Sequence, residues 1–211
     1  MTRRRTILTA AALLLVVQVG WIATGGSLGA ISVVTVIVAA VVIATGGRWI
    51  AIDTLGRIYL GLVFAGSVAD RFGALGAPGA DGVSWGNYGN FVDYTRDLLP
   101  GMLHWAATGL ALAATVVEAV LACALILGVR SRLAASAGCA VVAVFGLAMW
   151  TSVGFDQMAS YAVPAVVGAL AILGTVDADR HASAVITSNG WQILRNRRSV
   201  VRYRQAARVI R

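Results

Sequence analysis

GMLHWAATGLALAATVVEAVLACALILG, residues 101–128, holds one carboxylate in an otherwise almost wholly apolar run. That carboxylate, Glu118, is the only glutamate in the 211-residue chain. About 17–25 apolar helical residues cross a hydrocarbon core of about 30 Å, so the run is long enough to span a bilayer. On a helix turning 100° per residue, Thr108, Ala111, Thr115, Glu118 and Ala122 all fall within about 40° of His104. Such a polar and small-residue stripe belongs against neighbouring helices or a hydrated cavity rather than acyl chains. Counted inward from residue 128, Glu118 lies about 15 Å deep, near the midplane.

An ionised acid there costs about 2.5–3.5 kcal/mol or more. No arginine stands in the middle of any apolar run. The expectation is therefore a neutral carboxyl bonded to its helix neighbours, or one linked to water. His104, Thr108, Thr115 and Glu118 form the candidate polar face. Glu118 is read first as an interhelical clasp and second as a proton-handling or head-group-binding residue. His104 also suits a plain interfacial position, and the two threonines can simply bond back to their own helix.

Composition extends this reading to the whole chain. Hydrophobic residues make up 59% and charged residues 12%, against about 25% charged in a soluble domain. A chain this apolar has too little polar surface to cover a water-soluble fold, so the bilayer is its expected solvent. Six runs are long enough, or nearly so, to cross: 6–24, 28–45, 54–75, 101–128, 133–153 and 158–175. Each should be an α-helix, because backbone groups in lipid must be satisfied locally. The fold class is thus all-α and polytopic, with six spans.

All 17 basic residues are arginine. With the amino terminus in the cytoplasm, Arg3, Arg4, Arg5, Arg48, Arg57, Arg130, Arg132 and the eight arginines after residue 175 fall inside, leaving only Arg71 and Arg96 outside. This positive-inside bias calls for both termini in the cytoplasm and speaks against nucleic acid as a partner. MTRRR before an apolar run is also how a secretory signal starts. No A-x-A site follows and a second apolar run begins at once, so a two-helix hairpin is the simpler expectation.

The organisation read from the chain is a hairpin over 1–45, a four-helix core over 46–175 with an outer loop over 76–100, and a basic cytoplasmic tail over 176–211. In the loop, Phe91, Tyr94 and Leu98 at helical spacing predict a short helix lying on the membrane surface. In the tail, WQILRNRRSVVRYRQAARVIR carries seven arginines and no acid. Arg195, Arg197, Arg198, Arg202 and Arg204 are its candidate contacts with anionic lipid or a protein partner, at about 1 kcal/mol per arginine near an anionic surface. A solvated tail that only fixes orientation is the plainer alternative. Cys123 and Cys139 form no CxxC pair, and His104 and His181 form no metal or haem arrangement. No cofactor motif is visible and no metal site is expected.

LGRIYLGLVFAGSVADRFG, FVDYTRDLLP, ATVVEAVLACALILGVRSRLAA and FGLAMWTSVGFDQMASYAVPAVVGALA, in that order, resemble successive helices of the DoxX family of small bacterial four-helix membrane proteins. The resemblance covers roughly residues 54–175. Its most specific part is Glu118 followed by an apolar run, Leu127, Gly128 and Arg132. Many relatives carry a lysine after the first core helix, where this chain has Asp70–Arg71.

The resemblance implies a multi-pass protein of a bacterial plasma membrane that serves as an accessory subunit of a respiratory or redox-defence complex, with a protein partner. A second reading is a quinone-binding subunit of the thiosulfate:quinone oxidoreductase type. Its quinone would sit on the polar face of residues 101–128, with Tyr94, Arg96 and Trp150 forming an outer-surface pocket. A third is a small transporter or proton path past Glu118. Whether the chain is itself an enzyme stays open at this point, since fold membership does not transfer chemistry.

Overall fold

The computed structural model describes residues 2–176. The tail arginines Arg195, Arg197, Arg198, Arg202 and Arg204 lie outside the described residues. Among those described, the fold is all-helical: α1 (Thr2–Ala23), α2 (Ala30–Thr45), α3 (Ile50–Arg71), α4 (Tyr88–Asp97), a 3₁₀ turn (Gly101–Ala106), α5 (Ala107–Leu127), α6 (Ser131–Ser152), α7 (Phe155–Ser160) and α8 (Val163–Leu173). Four helical stretches, Arg3–Ala23, Ile50–Arg71, Gly101–Leu127 and Ser131–Ser152, are long and apolar enough to cross a membrane.

The other two expected spans are shorter. Helix α2 has 16 residues and stops where Gly46 turns left-handed (φ 58°), a backbone state that glycine adopts without steric cost. The run expected over 158–175 is broken into α7 and α8. Ala162 takes a positive φ of 58° at the break, and Pro164 stands in the first turn of α8. Proline lacks the N–H of a helix interior but is accepted in the first turn, so it stands at the start of α8 just after the left-handed Ala162 ends the preceding helical stretch.

Helix α8 is only 11 residues long but almost wholly buried. It packs against α6, α1 and α2. A helix that is apolar on every side needs such a central position. The α1–α2 hairpin therefore closes around α8. At Gly168 an added Cβ would stand 3.1 Å from the Ala11 carbonyl oxygen and 3.0 Å from Ile43 Cδ1. Gly168→Val should therefore cost about 1–3 kcal/mol through overpacking, measured as resistance to denaturing detergent.

Side-chain contacts tie the helices together at two ends. At one end Arg4 donates to the Gly46 carbonyl (2.8 Å), the Arg57 guanidinium donates to the carbonyls of Leu125 and Ile126, and Arg132 donates to Gly174 (3.1 Å). These cations meet the free carbonyls of helix C-termini, where they are favoured. At the other end the Trp21 indole donates to Asp156 (2.8 Å) and the Ser152 hydroxyl to Leu98 (3.1 Å). Between the ends the outer faces are apolar: Leu13, Val16, Leu112, Val120, Val144 and Leu147 are all exposed. Trp49 and Trp105 are also exposed, and each begins a different stretch of the bundle, as interfacial anchors do.

Candidate functional site

Helices α3, α5, α6 and α8 form a ring in which α3 meets α5, α5 meets α6, α6 meets α8 and α8 meets α3. The close seam is α3 against α5, where Gly61 lets α3 approach the Ala122 carbonyl. Glu118 points into this ring and is 5% exposed. It is not a solitary acid. Arg71 is 1% exposed, and its Nη2 lies 2.7 Å from both Glu118 carboxylate oxygens.

The register explains how a residue at the end of α3 reaches so deep. Arg57 meets Leu125, and Arg71 meets Thr115 and Glu118. The step from Arg57 to Arg71 is about 21 Å along α3, while Leu125 to Thr115 is about 15 Å along α5. The difference of about 6 Å matches a long side chain directed back into the bundle. Arginines near helix ends usually extend toward water; this one runs inward. The expected neutral or water-linked carboxyl is thus corrected to an ion pair, in which mutual attraction at short range offsets the desolvation that both charges suffer.

The pair has a built surround. Arg71 Nη1 donates to Thr115 Oγ1 (2.9 Å), and Thr115 in turn donates to the Ala111 carbonyl (2.8 Å), which fixes the hydroxyl as an acceptor. Arg71 Nη2 also reaches Ser67 Oγ at 3.2 Å. The guanidinium carbon lies 3.7 Å from the Phe91 ring centroid and 5.3 Å from that of Trp85, so aromatic faces add cation–π attraction.

The neighbouring residue holds the cover in place. Successive helical residues point about 100° apart, so Asp70 faces away from Arg71. Its carboxylate accepts the backbone N–H groups of Ser84 (2.9 Å), Trp85 (3.0 Å) and Gly86 (3.2 Å). Gly86 has φ +68°, and a Cβ there would meet the Pro78 nitrogen at 2.5 Å. This tight turn sets Trp85 over Arg71. The predicted helix of the outer loop is present as α4, but its apolar face does not lie on the membrane surface: it packs on α5, with Phe91 2% exposed. Burying the ring over Arg71 removes more apolar area from contact with water than a surface position would.

Beneath this cover is a cavity of about 160 Å³. Arg71, Glu118 and Tyr94 stand in its wall, with Phe64, Phe145 and Val166 among the apolar remainder. Tyr161, 42% exposed, is the only lining residue with an exposed side chain. Burial, followed by the electrostatic influence of Tyr161, pushes the Tyr94 phenol up to about 12. Tyr94 is therefore a neutral hydroxyl at physiological pH.

The residues expected from sequence separate here. Thr115 and Glu118 come together inside the bundle. Thr108 and His104, on the same stripe, are exposed, and His104 Nε2 sits 3.1 Å from the Leu99 carbonyl. Of the expected outer-surface pocket, only Tyr94 lines the cavity. Arg96 pairs with Asp93 at 2.6 Å on the surface, and Trp150 is 55% exposed against Phe155. Helix α4 turns Tyr94 toward this cavity and Arg96 outward, and neither Arg96 nor Trp150 lines it. Cys123 is exposed and Cys139 points toward the Val167 carbonyl (3.6 Å), so they are not a pair.

Sequence reasoning missed Arg71, Ser67 and Trp85. One signal was available: among the described residues, Arg71 and Arg96 are the arginines set apart in sequence from Arg3, Arg4, Arg5, Arg48, Arg57, Arg130 and Arg132, and a buried acid needs a cation. No protein-family model matches the chain, and neither does any curated protein or any solved structure.

Proposed function

We propose that the protein is a six-span membrane protein of a bacterial plasma membrane, with both termini in the cytoplasm and a DoxX-like core. It serves there as an accessory subunit of a respiratory or redox-defence assembly. The observation that carries this reading is the Arg71–Glu118 pair, enclosed by the α3–α5–α6–α8 ring beneath a covering loop. A membrane protein whose outer faces are apolar and whose polar groups are gathered inside is built to sit among lipids and hold a fixed surface toward a partner. The arginine-rich end, with Arg48 and Arg130 exposed, supports a cytoplasmic assignment. The covered end carrying Asp93, Arg96 and Asp97 then faces outward, where a partner could meet it.

Gentle solubilisation of the tagged full chain from its native membrane, followed by mass spectrometry of intact complexes, tests this. The expected result is a protein partner at fixed stoichiometry. Recovery of the chain alone under conditions that keep other membrane complexes intact would contradict it.

A further inference from the structure

We infer that the cavity inside the α3–α5–α6–α8 ring is a slot for one hydrocarbon chain of a bilayer phospholipid, entered sideways from the outer leaflet. The inference rests on the membrane placement proposed above and adds a ligand to it. Its first support is shape. Leu60, Phe64, Ser67 and Arg71 line the cavity from one face of α3, and they span about 16 Å along that helix. On α6 the lining runs from Val141 to Met149, about 12 Å. A compact void of about 150 Å³ admits a ring such as benzene. The 160 Å³ here is drawn out along the helix axes, which suits a single flexible chain.

The second support is the chemistry of the walls. Arg71 and Glu118 are occupied with each other on the α3–α5 side. The wall from α6 and α8 is Val141, Val142, Phe145, Met149, Val163 and Val166, none bearing a side-chain nitrogen or oxygen. An apolar void of this kind stays dry, and its lining atoms lack dispersion partners until something apolar fills it. A hydrocarbon chain supplies those contacts and brings no polar group to desolvate.

The depth of the mouth decides where the chain comes from. Tyr161, the one lining residue with an exposed side chain, marks that mouth. Arg132 at the start of α6 donates to the Gly174 carbonyl just past α8, which sets the two helices level at that end. From Gly174 back to Tyr161 is about 20 Å, while α6 rises about 30 Å from Arg132 to Ser152. Contacts agree with this register: a Cβ on Gly146 would meet Val163 Cγ1 at 2.7 Å, and Gly146 stands about 21 Å along α6 from Arg132. The mouth therefore opens about 10 Å short of the outer end of α6, within a hydrocarbon core of about 30 Å. At that depth the neighbours are acyl chains, with water and headgroups farther out.

Trp85 lines the slot and reports on its contents. The full chain is reconstituted in vesicles of phosphatidylcholine brominated beyond the middle of one acyl chain, and in unbrominated vesicles. The emission of Trp85 is taken as the difference between the unaltered chain and Trp85→Phe in each. Bromine carried into the slot comes into contact range of the indole, so this emission should fall at least about twofold. Val142→Phe, filling the slot from α6, should restore it, and Val63→Phe should do the same from α3, so that either variant alone suffices. Equal Trp85 emission in the two kinds of vesicle overturns the inference. Quenching that persists in the filling variants overturns it too, because the bromine would then be reaching Trp85 from outside the bundle. Flotation with the vesicles reads the membrane placement separately: a chain that does not float refutes that placement, whereas a chain that floats with Trp85 unquenched refutes the slot alone.

Discussion

Glu118→Ala should destabilise the folded protein by about 3–5 kcal/mol, because it leaves the Arg71 guanidinium buried without its counter-charge. Arg71 is 1% exposed and surrounded by Phe91, Trp85 and Thr115, so it cannot regain water without dismantling the cover. Arg71→Met should cost a similar amount, through the stranded carboxylate. The double replacement Arg71→Met with Glu118→Leu should recover most of the loss, since an apolar pair of similar volume avoids both desolvation costs. Equilibrium unfolding in mixed micelles across this cycle measures the coupling. The non-additivity distinguishes an ion pair from two independent packing residues, which would give losses that simply sum. If the clasp reading is right, the double variant remains folded while losing the charge that a proton-handling role would require.

Asp70→Ala should cost about 2–3 kcal/mol and loosen the cover more than the bundle. Three amides, from Ser84 to Gly86, share this one carboxylate. Bonds to a charged acceptor are worth about 1.5–3 kcal/mol each, although partial exposure and their shared acceptor keep the sum well below additivity. Asp70→Asn keeps an acceptor oxygen without the charge, so a loss of about 1 kcal/mol is expected. The accompanying sign is local: faster protease cleavage within residues 76–86 and a red-shifted Trp85 emission, with the α3–α5 seam unaffected. Equal loosening throughout the bundle would argue against a cover held by Asp70.

How much of this was legible in the sequence depends on the range over which each signal acts. Apolar length fixed α1, α3, α5 and α6 closely, because a long run in lipid has no alternative to a helix. The helical spacing of Phe91, Tyr94 and Leu98 located α4 for the same local reason. Where α4 packs was not legible, since an apolar face can be satisfied by a bilayer or by a guanidinium and its aromatic neighbours. Ala162 hides a break that composition alone does not announce, although Pro164 two residues later was a warning.

The inward direction of Glu118 was readable from its stripe of small and polar neighbours. Its partner was not, because the sequence separation of 47 between Arg71 and Glu118 is bridged by the register of α3 on α5. That register depends on close contacts such as Gly61 against Ala122. Periodicity reports which face a residue occupies, while depth relative to another helix comes from packing.

Because Glu118 is the protein's sole glutamate, glutamate enriched with ¹³C in its side-chain carboxyl isolates this group in an infrared difference spectrum of the membrane-reconstituted protein. An isotope-shifted carboxylate band that changes in frequency with Arg71→Gln is the predicted result. A protonated carbonyl band in the unaltered protein, or a carboxylate band indifferent to Arg71→Gln, would contradict the ion pair on which the site has been built.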